Sequence, residues 1–280
     1  MRFARLLSIL AACGLLATVA TGCAGPGPNA EDSLVFRARH SGSVTVGIRF
    51  DQPGLSQRTV DGRYVGFDVD VARFVAAELG VDEDGITWRD IPAAQREPAI
   101  TTGGVDFVVG TYSITDERKK KVDFAGPYFE TGQALLVRLS TEDIEGPSSL
   151  NGRRLCSVTG STSAHRVKER FAQAVELVEY PRYPDCVTAL LARQVDAVTT
   201  DAVILAGYVA EHPELLKVVG EQFSTERYGI GLRKGDVDGR RALNDAIRKM
   251  IETGEWRASL EGNIGRSGDR IPTPPSLTGG

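Results

Sequence analysis

Tyr64-Val65-Gly66-Phe67-Asp68-Val69-Asp70-Val71, running on through Phe74, Val75, Ala76 and Leu79 to Gly80, is the stretch whose reading decides the fold. Asp61-Gly62 ahead of it is a turn signal, and Tyr64-Val65 is short and extended. Asp68 can cap a helix. Val71, Phe74, Val75 and Leu79 then fall at helical spacing, and Gly80 closes the run.

Strand-like and helix-like runs alternate on both sides of this step. Ser43-Val44-Thr45-Val46-Gly47-Ile48 has period two and reads as a strand, as does Ile86-Thr87-Trp88. Pro98 to Thr101 belongs to a short helix and Val105 to Val109 to a buried strand. Thr115 caps a helix whose first turn holds Asp116 and Glu117, favourable at that end of the helix dipole. The second half repeats the grammar. Arg154 to Val158 is a strand, Thr159 to Ser163 a small polar loop, and a helix follows from Ala164. Val187 to Leu191 is helical, Ala197 to Thr200 and Tyr228 to Leu232 are strands, and Leu243, Ile247, Met250 and Ile251 mark a closing helix. Alternation of this kind specifies parallel sheets flanked by helices, and it occurs here twice in one chain.

The ends stand apart from this body. Arg2 and Arg5 followed by an apolar run from Leu6 to about Val19 read as an export signal, shorter than the roughly 20 residues of a spanning helix. Ala20-Thr21-Gly22-Cys23 resembles the lipobox of bacterial lipoproteins, whose signal is cut before a cysteine that carries lipid. Leu10-Ala11-Ala12-Cys13 looks similar, but a cut there would leave most of the apolar core in place. The expectations are a signal at residues 1–22, lipid on Cys23, a flexible tether over residues 23–42 rich in Gly and Pro at its start, and an irregular tail over 266–280. Lipidation would hold the chain on the extracytoplasmic face of the cell membrane.

The 33 Lys and Arg against 37 Asp and Glu leave a net charge of −4, or −6 without Arg2 and Arg5. A mildly acidic chain is a poor nucleic-acid binder. With Cys13 removed and Cys23 acylated, Cys156 and Cys186 remain as a pair in an oxidising compartment, which predicts a disulfide. Two cysteines without nearby histidines do not make a zinc site. No metal and no cofactor are expected.

Five motifs then bear on family. Gly66 to Val71 with its helix resembles the signature of the family-3 extracellular solute-binding proteins, the amino-acid receptors of ABC importers. Gly110-Thr111-Tyr112-Ser113-Ile114-Thr115-Asp116-Glu117-Arg118, followed by Val122-Asp123-Phe124 and Pro127-Tyr128, is a second match. The loop after Val158, the run Val195-Asp196-Ala197-Val198-Thr199-Thr200-Asp201 and Tyr228-Gly229-Ile230-Gly231 complete the set. Their order and spacing agree from about residue 43 to 264.

The resemblance implies an α/β, two-lobed periplasmic-binding-protein-like fold. Each lobe would be a mostly parallel sheet flanked by helices, joined by a two-segment hinge near residues 132–138 and 226–231. Lobe 1 is expected over 43–133 plus 229–265 and lobe 2 over 138–226. The partners implied are a free amino acid and an ABC permease, with the chain acting as a monomer.

A free amino acid presents an α-carboxylate, an ammonium and a side chain. An arginine fork suits the carboxylate because it donates two parallel hydrogen bonds, and the family places that role on Arg118. Read without the family, Arg118 opens a basic run through Lys121 that would form a solvated helix face. By position Thr111 and Ser113 match residues that hold the ligand's polar groups, although strand-end residues often only cap. Ser161 and Thr162 would complete the carboxylate site from a loop whose N–H groups precede a helix, or merely cap that helix. Asp201 matches the aspartate that meets the ammonium, against plain capping of the next helix.

Arg49, at the end of the first strand, is expected to face the ligand side chain where glutamine-binding relatives carry an aspartate. A cation there suits a second carboxylate, and Phe50-Asp51-Gln52-Pro53-Gly54 resembles glutamate-binding lipoproteins. Arg49 directed to solvent is the competing reading, and Arg96 is a second candidate cation. Glutamate is the expected ligand, with aspartate, glutamine and asparagine open, and a sensory role open beside transport. A dehydratase-like enzyme on the same scaffold would need a general acid or base in the cleft. His40 and His212 lie away from it, His165 alone is near, and there is no Walker loop, zinc-protease helix or Gly-x-Ser-x-Gly elbow. No catalytic residue is assigned.

Overall fold

A computed structural model describes residues 30–264 and 271–277. The signal segment, Cys23, the first part of the expected tether and residues 266–270 and 278–280 of the tail lie outside the described residues. The first half of the chain runs α1 (Leu34–Ser41), β1 (Val44–Ile48), β2 (Asp51–Gln52), β3 (Ser56–Arg58), β4 (Tyr64–Val65), α2 (Phe67–Glu78), β5 (Ile86–Asp90), α3 (Arg96–Thr101), β6 (Phe107–Val108), α4 (Asp116–Lys119) and β7 (Asp123–Thr131). The middle runs β8 (Gln133–Arg138), β9 (Arg154–Val158), α5 (Ser163–Arg170), β10 (Glu176–Tyr180), α6 (Tyr183–Leu191), β11 (Ala197–Asp201), α7 (Ala202–Glu211) and β12 (Leu216–Val219). The chain closes with β13 (Glu226–Leu232), α8 (Val237–Glu252) and α9 (Glu255–Asn263).

Ten of these strands form two five-stranded sheets, one per lobe, ordered β5-β1-β6-β13-β7 and β10-β9-β11-β8-β12, and β2, β3 and β4 form a small antiparallel sheet. In each five-stranded sheet the first three strands are parallel, the fourth is antiparallel and the fifth returns to the common direction. The reversed strand is in both cases the one that has just arrived from the other lobe, β13 or β8. β7 and β13 pair along their length as far as Thr131 opposite Glu226.

The crossings are therefore tighter than expected. The first is Gly132, between β7 and β8, so lobe 2 begins at Gln133 rather than 138. The second is residues 220–225, before β13 rather than within it, because all of β13 pairs with β7 of lobe 1. The two crossing segments bond to each other: Phe223 N–H donates to the Gln133 carbonyl (2.9 Å) and Gln133 N–H to Ser224 Oγ (3.0 Å). A Cβ at position 132 would stand 2.4 Å from the Ser224 carbonyl oxygen, so only glycine admits this approach.

The expected tether is also corrected. From Ala30 the chain is already structured: a short 3-10 turn leads into α1, which Ser33 caps by accepting from Val35 N–H. Leu34 and Ala38 are buried. Asp236, at the start of α8, accepts from Leu34 N–H (2.7 Å), Ser33 Oγ (3.1 Å) and Gly239 N–H (2.8 Å), joining two helix N-termini through one carboxylate. Residues 271–277 carry no helix or strand, and Ile271 and Leu277 pack on the core.

Lobe 1 closes around Phe67, Tyr128, Phe129, Tyr228 and Trp256, whose rings contact one another; Trp256 donates to the Tyr128 carbonyl (2.7 Å). In lobe 2 the Cys156–Cys186 disulfide joins β9 to α6 with Cα atoms 5.7 Å apart, both residues fully buried. It closes a loop with a sequence separation of 30, for which chain-entropy reasoning assigns about 3–4 kcal/mol. Replacing both cysteines with alanine is expected to lower the melting temperature by roughly 10 °C in a calorimetric scan. An unchanged transition would show that the staple adds nothing to stability.

Candidate ligand-binding site between the lobes

The lobe 1 wall is built from the strand ends and the start of α2. Just past β6, Thr111 adopts a φ of 43°, an uncommon left-handed conformation for a β-branched residue. It is pinned there by Asp68 Oδ2, which accepts from Thr111 N–H (2.8 Å), and by Gln52, which exchanges hydrogen bonds with Thr111 Oγ1 at 3.0 and 3.2 Å. Asp68 is thus no helix cap: Gly66 holds the N-cap position, and the Asp68 carboxylate turns inward to take Tyr128 OH as well (2.8 Å). Burial pushes the Asp68 carboxyl up to about 7, against the pull of its hydrogen bonds.

The basic run after Thr115 is divided by the fold. Lys119, Lys120 and Lys121 are exposed, whereas Arg118 is only 8% accessible. Thr115 Oγ1 accepts from Arg118 N–H (3.2 Å), and the guanidinium points into the cleft. It donates to the Ser113 carbonyl (2.8 Å) and, across the cleft, to the Gly160 carbonyl of lobe 2 (3.0 Å), with Glu97 at 3.5 Å. Arg96, 4% accessible, donates to the Ala93, Gly110 and Thr111 carbonyls. Both guanidiniums face the Tyr112 ring, that of Arg96 4.2 Å and that of Arg118 5.1 Å from its centroid. Burial first, then the neighbouring Arg118 and to a lesser degree Arg49, brings Arg96 down to about 9. Arg49 is 2% accessible, so it does not face solvent. Its fork is, however, already engaged by Asp51, at 3.0 Å from Nε and 2.8 Å from Nη2.

Lobe 2 supplies the opposite wall. The turn at Gly160 (φ 82°) presses against lobe 1 so closely that a Cβ would come within 2.7 Å of Ala94. Ser161 Oγ accepts from Ser163 N–H (3.2 Å), and Thr162 holds the N-cap position of α5 without a side-chain cap bond. Thr162 Oγ1 instead accepts from Gln133 at the hinge (3.4 Å). Asp201 stands at the N-cap of α7 but does not bond that helix through its side chain. Its Oδ2 accepts from Tyr228 OH (2.5 Å) of β13. Burial, and then the nearby Glu226, raises the Asp201 carboxyl to about 7.

All eight residues singled out from the sequence, Arg49, Arg96, Thr111, Ser113, Arg118, Ser161, Thr162 and Asp201, line one narrow cavity of about 20 Å³. Residues 44–265 match the profile of the bacterial extracellular solute-binding proteins, family 3. The chain belongs to that family. The glutamate-binding protein GluB of Corynebacterium glutamicum is 43% identical over 94% of this chain and 91% of its own length. The glutamine-binding protein GlnH of Bacillus subtilis is 31% identical over 84% of this chain and 88% of its own. An ancestral arginine-binding protein solved with glutamine is 34% identical, with a TM-score of 0.75 over 80% of this chain and 98% of that one. Family-3 membership places the chain outside the cytoplasm and among binding proteins rather than enzymes. Among the described residues no group of three or more His, Cys, Asp and Glu could hold a metal.

Sequence reasoning missed four further polar residues of this family-3 cavity: Gln52, Ser163, Tyr183 and Thr200. Tyr183 OH and Thr200 Oγ1 are 2.6 Å apart. Gln52 lies inside a motif that was legible, but its direction follows from Thr111, 59 positions away. Tyr183, before Pro184, signals only a helix start.

Asp68 and Asp201 both hold a proton in the fold up to about pH 7 and lose it near 4 when unfolded. The folded state binds more protons across that window, so their contribution to stability is fully present below pH 4 and is lost as pH rises to 7. Replacing Asp68 with asparagine is expected to flatten the pH dependence of the melting temperature between 4 and 7. An unaltered slope would mean that Asp68 titrates as an ordinary carboxylate.

Proposed function

We propose that this protein captures glutamate by closing its two lobes and delivers it to an ABC-type importer, while lipid on Cys23 holds it at the outer membrane face. The observation that carries the reading is the charge of the cavity. Three buried arginines converge on it, and the partial loss of basicity at Arg96 reflects their mutual repulsion as well as burial. Among the residues that line the cavity Asp201 alone carries a carboxylate, while Asp51 behind Arg49 and Glu97, 3.5 Å from Arg118, offset part of the positive charge from outside the lining. Glutamate carries two carboxylates and one ammonium, a net charge of −1, which complements this surplus; glutamine is neutral overall. In this reading Arg118, with Ser161 and Thr162, takes the α-carboxylate. Asp201 with Thr111 and Ser113 takes the ammonium, and Arg49 and Arg96 meet the side-chain carboxylate. The name of the Corynebacterium relative supports the same ligand.

One observation favours glutamine as a second reading. Asp51 holds Arg49 bidentately, which reduces the positive charge available to a second carboxylate. Calorimetry on protein lacking residues 1–22 is expected to show glutamate binding at least tenfold tighter than glutamine, aspartate or asparagine. Glutamine binding tighter would select the second reading, and no heat with any of the four would end both. Arg118→Ala removes a buried charge contact worth about 2–5 kcal/mol and is expected to weaken binding at least tenfold; unchanged affinity would move the α-carboxylate site elsewhere. Growth with radiolabelled palmitate is expected to label the wild-type protein and not Cys23→Ser, since the acyl chains that anchor the protein sit on that cysteine. Label on Cys23→Ser, or none on the wild type, would overturn the lipid assignment.

A further inference from the structure

Arg182 sits where a cation is locally unfavourable. It holds the N-cap position of α6, the positive end of the helix dipole, and makes no side-chain cap bond there. The next residue, Tyr183, is turned into the cavity and bonded to Thr200. The Arg182 guanidinium instead leaves lobe 2 and crosses the cleft. Its Nη2 bonds the Asp90 carboxylate at the end of β5, and its Nη1 lies 3.9 Å from Asp51 Oδ2. Asp51 is the residue that grips the Arg49 fork. The Asp51 carbonyl also accepts the Tyr208 hydroxyl from α7 of lobe 2. Lobe 2 therefore holds Asp51 at both side chain and main chain, and Asp51 holds Arg49.

We propose that Arg182 is a closure latch and a positioning residue: bridging Asp90 and Asp51, it locks the two lobes together and, through Asp51, sets the aim of Arg49 at the ligand side chain. The inference deepens the capture reading above and rests on it. The Arg182 side chain is 37% exposed, Asp90 18% and Asp51 8%, so the bridge is partly withdrawn from water yet open to salt. It exists only while the lobes touch, so it acts on ligand release and not on encounter.

Stopped-flow binding with one fluorescent dye on each lobe tests the latch. Arg182→Ala is expected to speed glutamate release about three- to tenfold with the association rate changed less than about twofold. The loss is expected to be larger for glutamate than for glutamine, because the aim of Arg49 is disturbed. Arg182→Lys, which keeps the charge without the fork, should fall between. Should Arg182→Ala fail to fold, Asp90→Asn breaks the same bridge from the other lobe and carries the same expectation. A second arm needs no amino acid: raising salt to about 1 M is expected to lower the closed fraction of the wild-type protein and to leave that of Arg182→Ala unchanged. An unchanged release rate, or an equal salt response in the two proteins, overturns the latch. If the wild-type protein binds none of the amino acids, the capture reading alone falls, and the salt arm decides the latch.

Discussion

The Arg118 guanidinium is the constraint on which the site depends. A buried cation must be given partners, and the fold offers it carbonyls from both lobes, Ser113 on one side and Gly160 on the other. Each of these carbonyls is where it is for a separate backbone reason. Ser113 pairs with Tyr228 in an isolated bridge that anchors the loop after β6 to β13. Gly160 can approach lobe 1 because it has no side chain to strike Ala94. The same guanidinium stacks toward Tyr112, which also faces Arg96. Two cations at one ring repel, and an anion placed between them relieves that repulsion.

The sheet topology explains how residues so distant in sequence meet. Both lobes share one strand order, with the strand that arrives from the other lobe inserted next to last and reversed. The crossings at Gly132 and at residues 220–225 are short, and Phe223 and Ser224 of the second hydrogen-bond to Gln133 beside the first, so the lobes are joined at one narrow place. The strand ends that carry Arg49, Thr111, Val158 and Asp201 are thereby turned toward a common cleft. Tyr228 reaches from β13 of lobe 1 to the Asp201 carboxylate of lobe 2, tying the two lobes together at the site.

Much of this was legible in the chain. Thr115 is followed by acidic residues and caps α4 as its pattern predicts. The strand and helix periodicities of both halves mark the elements that form. The misreadings have specific physical causes. Residues 34–41 look like a continuation of the Gly- and Pro-containing tether, and their helix is held at its start by Asp236, some 200 positions on, which accepts the Leu34 N–H, and by Ser33, which accepts the Val35 N–H. Asp68 has the composition of a cap, yet burial against Tyr128 and the Thr111 backbone redirects it. The hinge boundaries moved because strand pairing, not composition, ends a lobe.

The sequence by itself determined the two α/β units through local periodicity, the cysteine pair through the export signal, and the identity of the eight residues that gather at the cleft through the resemblance of their motifs to those of the family-3 solute-binding proteins. Only the tertiary structure decided what each charge is left free to do. Arg118 and Lys119 are adjacent and chemically alike, and one is buried while the other is solvated. Arg49 lines the cavity with its fork held by Asp51, and Arg182 stands across the cleft from that pair. Which charges are desolvated, and which are already paired, depends on contacts between segments far apart in the chain, and local sequence carries no record of those distances.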